Sequence, residues 1–64
     1  MKNDIKTIRK KLGLRQEDLA KQVGATRQTI IAIENNKYNP SLELAMRLAK
    51  ALGTSVEHLF FLEE

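Results

Sequence analysis

Two stretches with apolar residues at helical spacing, 16–23 and 27–34, are joined by no more than Val23-Gly24-Ala25-Thr26. A connection that short cannot fold two helices back along each other's full length. They must cross steeply, and the second is left on the outside of whatever the pair packs against. In the first stretch Leu19, Ala20 and Val23 share a face. Glu17 and Asp18 open it, where their charges suit the positive end of the helix dipole. Gly24 ends this helix, and Thr26 offers an N-cap hydroxyl to the next, whose inner face is Ile30 and Ile33. Arg27 and Gln28 then fall on the opposite, solvent side by helical phase.

The rest of the chain supplies what this pair packs on. Ile5, Ile8 and Leu12 predict a first helix over 4–12, closed by Gly13. Asn35-Asn36 suits a left-handed exit from the third helix. After the turn Lys37-Tyr38-Asn39, Pro40 fits the first position of a fourth helix, expected over 41–52, because a missing N–H costs nothing there. Leu42, Ala45, Leu48, Ala49 and Leu52 give that helix a wide apolar stripe, and Gly53 caps its end. Thr54 or Ser55 can cap a short fifth helix over 55–60 that carries Val56, Leu59 and Phe60. With no alternating strand pattern of useful length, the expectation is a single all-α domain over 1–64, a compact bundle of five helices.

Composition narrows the function. A chain of 64 residues buries only about 60% of the surface its unfolded form exposes, so its core is thin. The absence of cysteine removes disulfides, thiolate nucleophiles and thiolate metal sites, and points to a reducing, intracellular setting. No window reaches the roughly 18 apolar residues of a membrane span, and MKNDIKTIRKKL has no signal-peptide core, which places the protein in the cytoplasm. His58 is the one histidine, and neither a Gly-rich phosphate loop nor a paired-carboxylate constellation accompanies it, so an enzyme is not indicated. No cofactor, metal or small-molecule ligand is called for. The net charge of +3 is unevenly spread: residues 1–37 hold nine Lys or Arg against four acids, a net +5, whereas 38–64 come to −2. A polyanion suits the first half, although lysines on a solvated helix need no partner.

The stretch QEDLAKQVGATRQTIIAIEN resembles the helix-turn-helix of Cro and phage-repressor regulators, the xenobiotic-response-element family. Ala20 matches the small residue where the two helices touch, Gly24 the turn glycine, and Leu19, Val23, Ala25, Ile30 and Ile33 the apolar positions. The flanks RKKLGLRQEDLA and IENNKYNPSLELAMRLAKALG extend the likeness from Ile5 to Phe60. It implies a lambda-repressor-like domain that binds double-stranded DNA sequence-specifically through the major groove, as a transcriptional regulator and most simply as a repressor on a short palindromic operator.

Carried over by position, the recognition helix runs from Thr26 to Glu34. Arg27 and Gln28 would read bases: a guanidinium pairs with guanine O6 and N7, a carboxamide with adenine, each for about 1–3 kcal/mol of discrimination. Thr29 would either pack or reach a base or phosphate. Ile31 would meet a thymine methyl, unless it is partly buried, and Ala32 would permit close approach. Gln16, Thr26, Asn35, Asn36, Lys37 and Tyr38 fall where the family touches the sugar-phosphate backbone, although Asn35 and Asn36 also serve as plain turn residues. Two positions depart from the family pattern. Arg15 stands where a Thr or Ser N-cap is usual, so the second helix frays or Arg15 reaches a phosphate; Asn36 replaces a common glycine.

Leu59-Phe60-Phe61-Leu62 is the most apolar run, and helical phase cannot turn all four side chains into one small core. Family members commonly bind as two-fold dimers on half-sites about 34 Å apart. Phe61 and Leu62, with Leu59 and Val56 of the fifth helix, are therefore the expected homodimer contact, against the plainer alternative that they pack on their own core. A protein-interaction module, such as an antitoxin-like partner binder, is the competing function.

Overall fold

In the computed structural model, which describes residues 1–63, all five helices form and each sends a wholly buried side chain to a common centre. They are α1 (Ile5–Lys11), α2 (Gln16–Val23), α3 (Arg27–Glu34), α4 (Leu42–Ala51) and α5 (Val56–Leu59). Ile5, Leu19, Ile30, Ile33, Leu48 and Leu59 meet there, with Ala20, Ala45 and Ala49 letting the backbones approach. The domain is thus a five-helix bundle in which α3 rests on α2 through Ile30 and Ile33 and keeps its other side in water.

The α2–α3 turn follows from three residues. Gly24 takes a left-handed φ of +71°, which costs a glycine nothing, and its N–H returns to the Ala20 carbonyl. Ala25 N–H bonds the same carbonyl at 2.9 Å. Thr26 Oγ1 then accepts the Thr29 N–H at 3.2 Å, so α3 starts on the residue expected to cap it. Ser55 caps α5 in the same way, through His58 N–H at 3.3 Å.

Several expectations need correcting. Phe60 is not helical. It pairs with Asn3, and Phe61 with Lys2, in an antiparallel two-stranded ladder of β1 (Lys2–Asn3) and β2 (Phe60–Phe61). Strands of two residues carry no readable period, which is why the sequence shows none. Pro40 lies before α4 rather than in it, and Ser41 is the cap, its Oγ accepting from Leu44 N–H at 3.2 Å. Leu12 and Leu42 are 53% and 71% exposed, so neither joins the stripe assigned to it.

The buried polar residue of α1 is instead Arg9, with only 7% exposure. Its guanidinium reaches from α1 to the last residue of α3, where Nε donates to Glu34 Oε2 at 2.7 Å and Nη2 to Oε1 at 3.2 Å. Nη1 donates to the Leu14 carbonyl at 2.9 Å. Every nitrogen of the fork is thereby used, the condition under which a charged pair is tolerated inside a protein.

Candidate nucleic-acid interface

The outer side of α3 carries the side chains expected to read bases, and its first turn is the most open part. Arg27 and Gln28 are both exposed, and neither side chain makes a hydrogen bond or ion pair among the described residues. Their backbones are nonetheless fixed, because Thr26 caps the turn they sit on and Ile30 lies in the core directly after them. Rigid backbone with unspent donors is what recognition of an outside partner requires. Ile31 is half-buried, as the plainer alternative for it has it, and with Ala32, also half-buried, it still presents part of its surface. Thr29 is half-buried, with its hydroxyl 2.9 Å from that of Thr26, so both hydroxyls are engaged with each other.

Beside this face lies an open cleft of about 470 Å³ bordered by Arg9, Arg15, Gln16, Glu17 and Arg27. Gln16 donates one Nε2 hydrogen to Glu34 Oε1 at 3.2 Å, and its second amide hydrogen has no protein partner among the described residues. The Arg9–Glu34 pair therefore does two things. It joins α1 to α3, and it holds the side chain that opens α2 against the foot of α3.

The fraying expected from Arg15 at the N-cap of α2 does not occur. Helix α2 is not left uncapped, because Asp18 accepts the Arg15 backbone N–H at 2.9 Å, the half of a capping box that the arginine does not have to supply. The guanidinium folds over the same carboxylate, with Nε 3.1 Å from Oδ2, and reaches Glu17 at 3.3 Å. The side-chain hydrogen bond from Arg15, then the one from its backbone N–H, and to a lesser degree its charge hold Asp18 below the usual carboxylate range, and the side-chain bond to Asp18 raises Arg15.

On the far side of α3 the chain turns through Asn35, Asn36, Lys37 and Tyr38, all exposed. Asn36 is the single non-glycine residue at positive φ among those described, at +60°, the left-handed exit its sequence suggests. This turn is braced from the first residues of the chain. Asn3 of β1 donates to the Ile33 carbonyl at 2.9 Å and to Asn36 Oδ1 at 3.2 Å. No local signal announces such a bond, since the partners lie about half the chain apart.

The C-terminal apolar residues do not act as one group. Leu59 has no exposed surface, so its side chain belongs to the core and is removed from the expected contact set. Phe61 is 39% exposed and Leu62 80%. Val56 and Leu62 line an apolar groove of about 560 Å³ with Met1, Leu42 and Phe60, whereas Phe61 lies outside that lining. His58 is a surface residue whose Nδ1 lies 2.6 Å from the Ser55 hydroxyl. Among the described residues no cluster of His, Cys, Asp or Glu is placed to hold a metal, and no helix is long and apolar enough to cross a membrane.

Comparison with known proteins adds the following. A family model described as helix-turn-helix matches residues 5–59. An uncharacterized HTH-type transcriptional regulator of Methanocaldococcus jannaschii is 53% identical over 64 residues, spanning all of this chain and 97% of the relative. Among solved structures, the fold is similar to a restriction-modification controller protein of Aeromonas hydrophila, with a TM-score of 0.81 and 34% identity over 88% of this chain and 85% of that one. It is also similar to the DNA-binding domain of the P22 C2 repressor, with a TM-score of 0.79 and 38% identity over 83% of this chain and 70% of that one.

Proposed function

Because the chain belongs to the Cro and phage-repressor type of helix-turn-helix transcriptional regulators, we propose that it reads a short palindromic operator as a homodimer and represses by occluding it. One observation carries the reading: among the described residues Arg27 and Gln28 stand unpartnered on the capped first turn of a helix whose opposite side is locked into the core. Arg27 suits guanine and Gln28 adenine, while Ile31 and Ala32 offer apolar surface to thymine methyls. Thr29, bonded to Thr26, supports the turn and keeps a hydroxyl near the groove.

Around these lie groups for backbone contact, which position the helix and read no sequence. They are Gln16 and Thr26 on one side and Asn35, Asn36, Lys37 and Tyr38 on the other. Arg15 joins them only by exchanging Asp18 and Glu17 for a phosphate. A second copy docks through Phe61, Leu62 and Val56, which sets the two recognition helices about one duplex turn apart. The reading places the protein in the cytoplasm, with duplex DNA as its ligand and no cofactor.

Selection of bound sequences from a random duplex pool at fixed salt is the direct test. A two-fold symmetric site should emerge; a pool that stays random under physiological ionic conditions would falsify the proposal. The dimer is tested separately by sedimentation of Phe61→Asp, which is expected to run as a monomer. An unchanged mass distribution removes that interface.

A further inference from the structure

The first residues of the chain, silent in the sequence, are tied to the turn that follows α3. Asn3 uses both ends of its carboxamide. Nδ2 donates to Ile33 and to Asn36 Oδ1, while Oδ1 accepts the Ile5 N–H at 3.1 Å and so helps start α1. Its own place is set by the ladder, in which it faces Phe60, and by the neighbouring Asp4 N–H bonded to the Leu59 carbonyl at 3.0 Å.

The turn it grips holds a residue with a side chain in the left-handed region, which asparagine enters more readily than other non-glycine residues. Asn36 holds a φ of +60°, with its N–H on the Ile33 carbonyl at 3.0 Å and the next N–H, of Lys37, on Ala32 at 2.9 Å. Such a conformation persists where surrounding contacts over-determine it, and Asn3 supplies two of them. The bond to Oδ1 also gives the Asn36 side chain a polarity. Its acceptor is occupied, and its two Nδ2 hydrogens are the part with no protein partner among the described residues. Phosphate oxygens are acceptors, so the open end of this carboxamide is the end that fits them.

We infer that Asn3 is a positioning residue for DNA-backbone contact: it fixes the Asn36–Lys37 turn and presents the Asn36 amide donors to a phosphate without touching DNA itself. The inference rests on the assignment of α3 as the DNA face. Because Asn3 sits in β1 beside β2, one strand connects the backbone-contacting turn to the segment proposed to meet the second copy.

Asn3→Ser separates its two roles. A serine hydroxyl can still accept the Ile5 N–H but cannot span to Ile33 and Asn36. The probe is a duplex recovered by pool selection, prepared with single methylphosphonates that remove the charge and an acceptor of one phosphate at a time. For the unsubstituted protein, the modified phosphate that pairs with Asn36 should weaken binding about tenfold. Asn36→Gly, which adopts positive φ freely and has no amide, identifies that phosphate as the one whose penalty vanishes. Asn3→Ser is expected to lose the same single penalty while keeping the others and the base preference, which a loss of fold stability alone would not do. A folded Asn3→Ser that retains every penalty overturns the inference and leaves the DNA reading standing. Should Asn3→Ser fail to fold, Asn3→Asp decides, since its carboxylate still accepts the Ile5 N–H and has no donor for Ile33 or Asn36; loss of the same single penalty is expected, and full retention of the penalties there overturns the inference too. If no preferred duplex is recovered at all, the assignment of α3 fails first and takes the inference with it.

Discussion

Arg9 and Arg27 border the same cleft, yet one is sealed and the other bare. Arg9 has given its donors to Glu34 and Leu14, 8% of its side chain remaining exposed against 3% for Glu34. Arg27 has given none of its side-chain donors to protein among the described residues. The two are the same residue type within one basic half of the chain. What separates them is whether the fold brings an acceptor to them, and that decides whether the charge holds the domain together or is left for another molecule.

Removing the sealed arginine should have the largest effect. Arg9→Ala leaves Glu34 buried without its charged partner and with the Gln16 amide alone bonded to it, a loss of about 3–5 kcal/mol, close to the whole stability a domain of this size is expected to have. Chemical denaturation at neutral pH should find it largely unfolded. The paired change of Arg9→Met with Glu34→Leu sharpens the point: it should restore most of the stability, because apolar side chains of similar volume replace a buried ion pair at little cost. A double variant as unstable as the single one would mean that the pair itself, rather than the orphaned charge, carries the fold.

The bare arginine should behave in the opposite way. Arg27→Ala should unfold within about 0.5 kcal/mol of the unsubstituted protein. It should still lose about 1–3 kcal/mol of discrimination at one base pair in titrations against matched and mismatched duplexes. Loss of stability without loss of discrimination would erase the distinction between the two arginines. It would also favour a protein-binding role for the molecule.

A third arginine tests the middle case, where pairing is local and wet, and its effect should be smallest. The folded-state value of Asp18 is depressed by Arg15, so its contribution to stability is present above the ordinary carboxylate value. It is lost as pH falls through the lower, folded-state value. Asp18→Asn should flatten that acid limb in a pH series of denaturation midpoints by removing the charge-dependent contribution at neutral pH, a small loss because the pair is exposed and a carboxamide oxygen can still accept the Arg15 N–H.

The same contrast explains what the sequence disclosed. Helices α2 and α3 were readable to the residue because their signals are local: apolar phase, Gly24 as a stop and Thr26 as a cap. Arg27 and Gln28 were readable as exposed from that phase alone. Arg9 was counted only as a positive charge, because its burial depends on Glu34, which reaches it only through tertiary packing. Leu12 and Leu42 mark the converse error, where good phase at a helix end meets no neighbour to cover it. Asn3 and the β1–β2 ladder were invisible for the reason that hides Arg9, since both join opposite parts of the chain.

That ladder also imposes an order on assembly. A ribosome emits Lys2 and Asn3 early, and their partners Phe61 and Phe60 only after every helix has left the tunnel. Helices that pack through near neighbours in sequence can gather first, and the joining of the two ends must come late, with a large loop to close. Until that moment the turn after α3 lacks its brace, so a nascent chain would possess α3 before it could set the surroundings of that helix in final form.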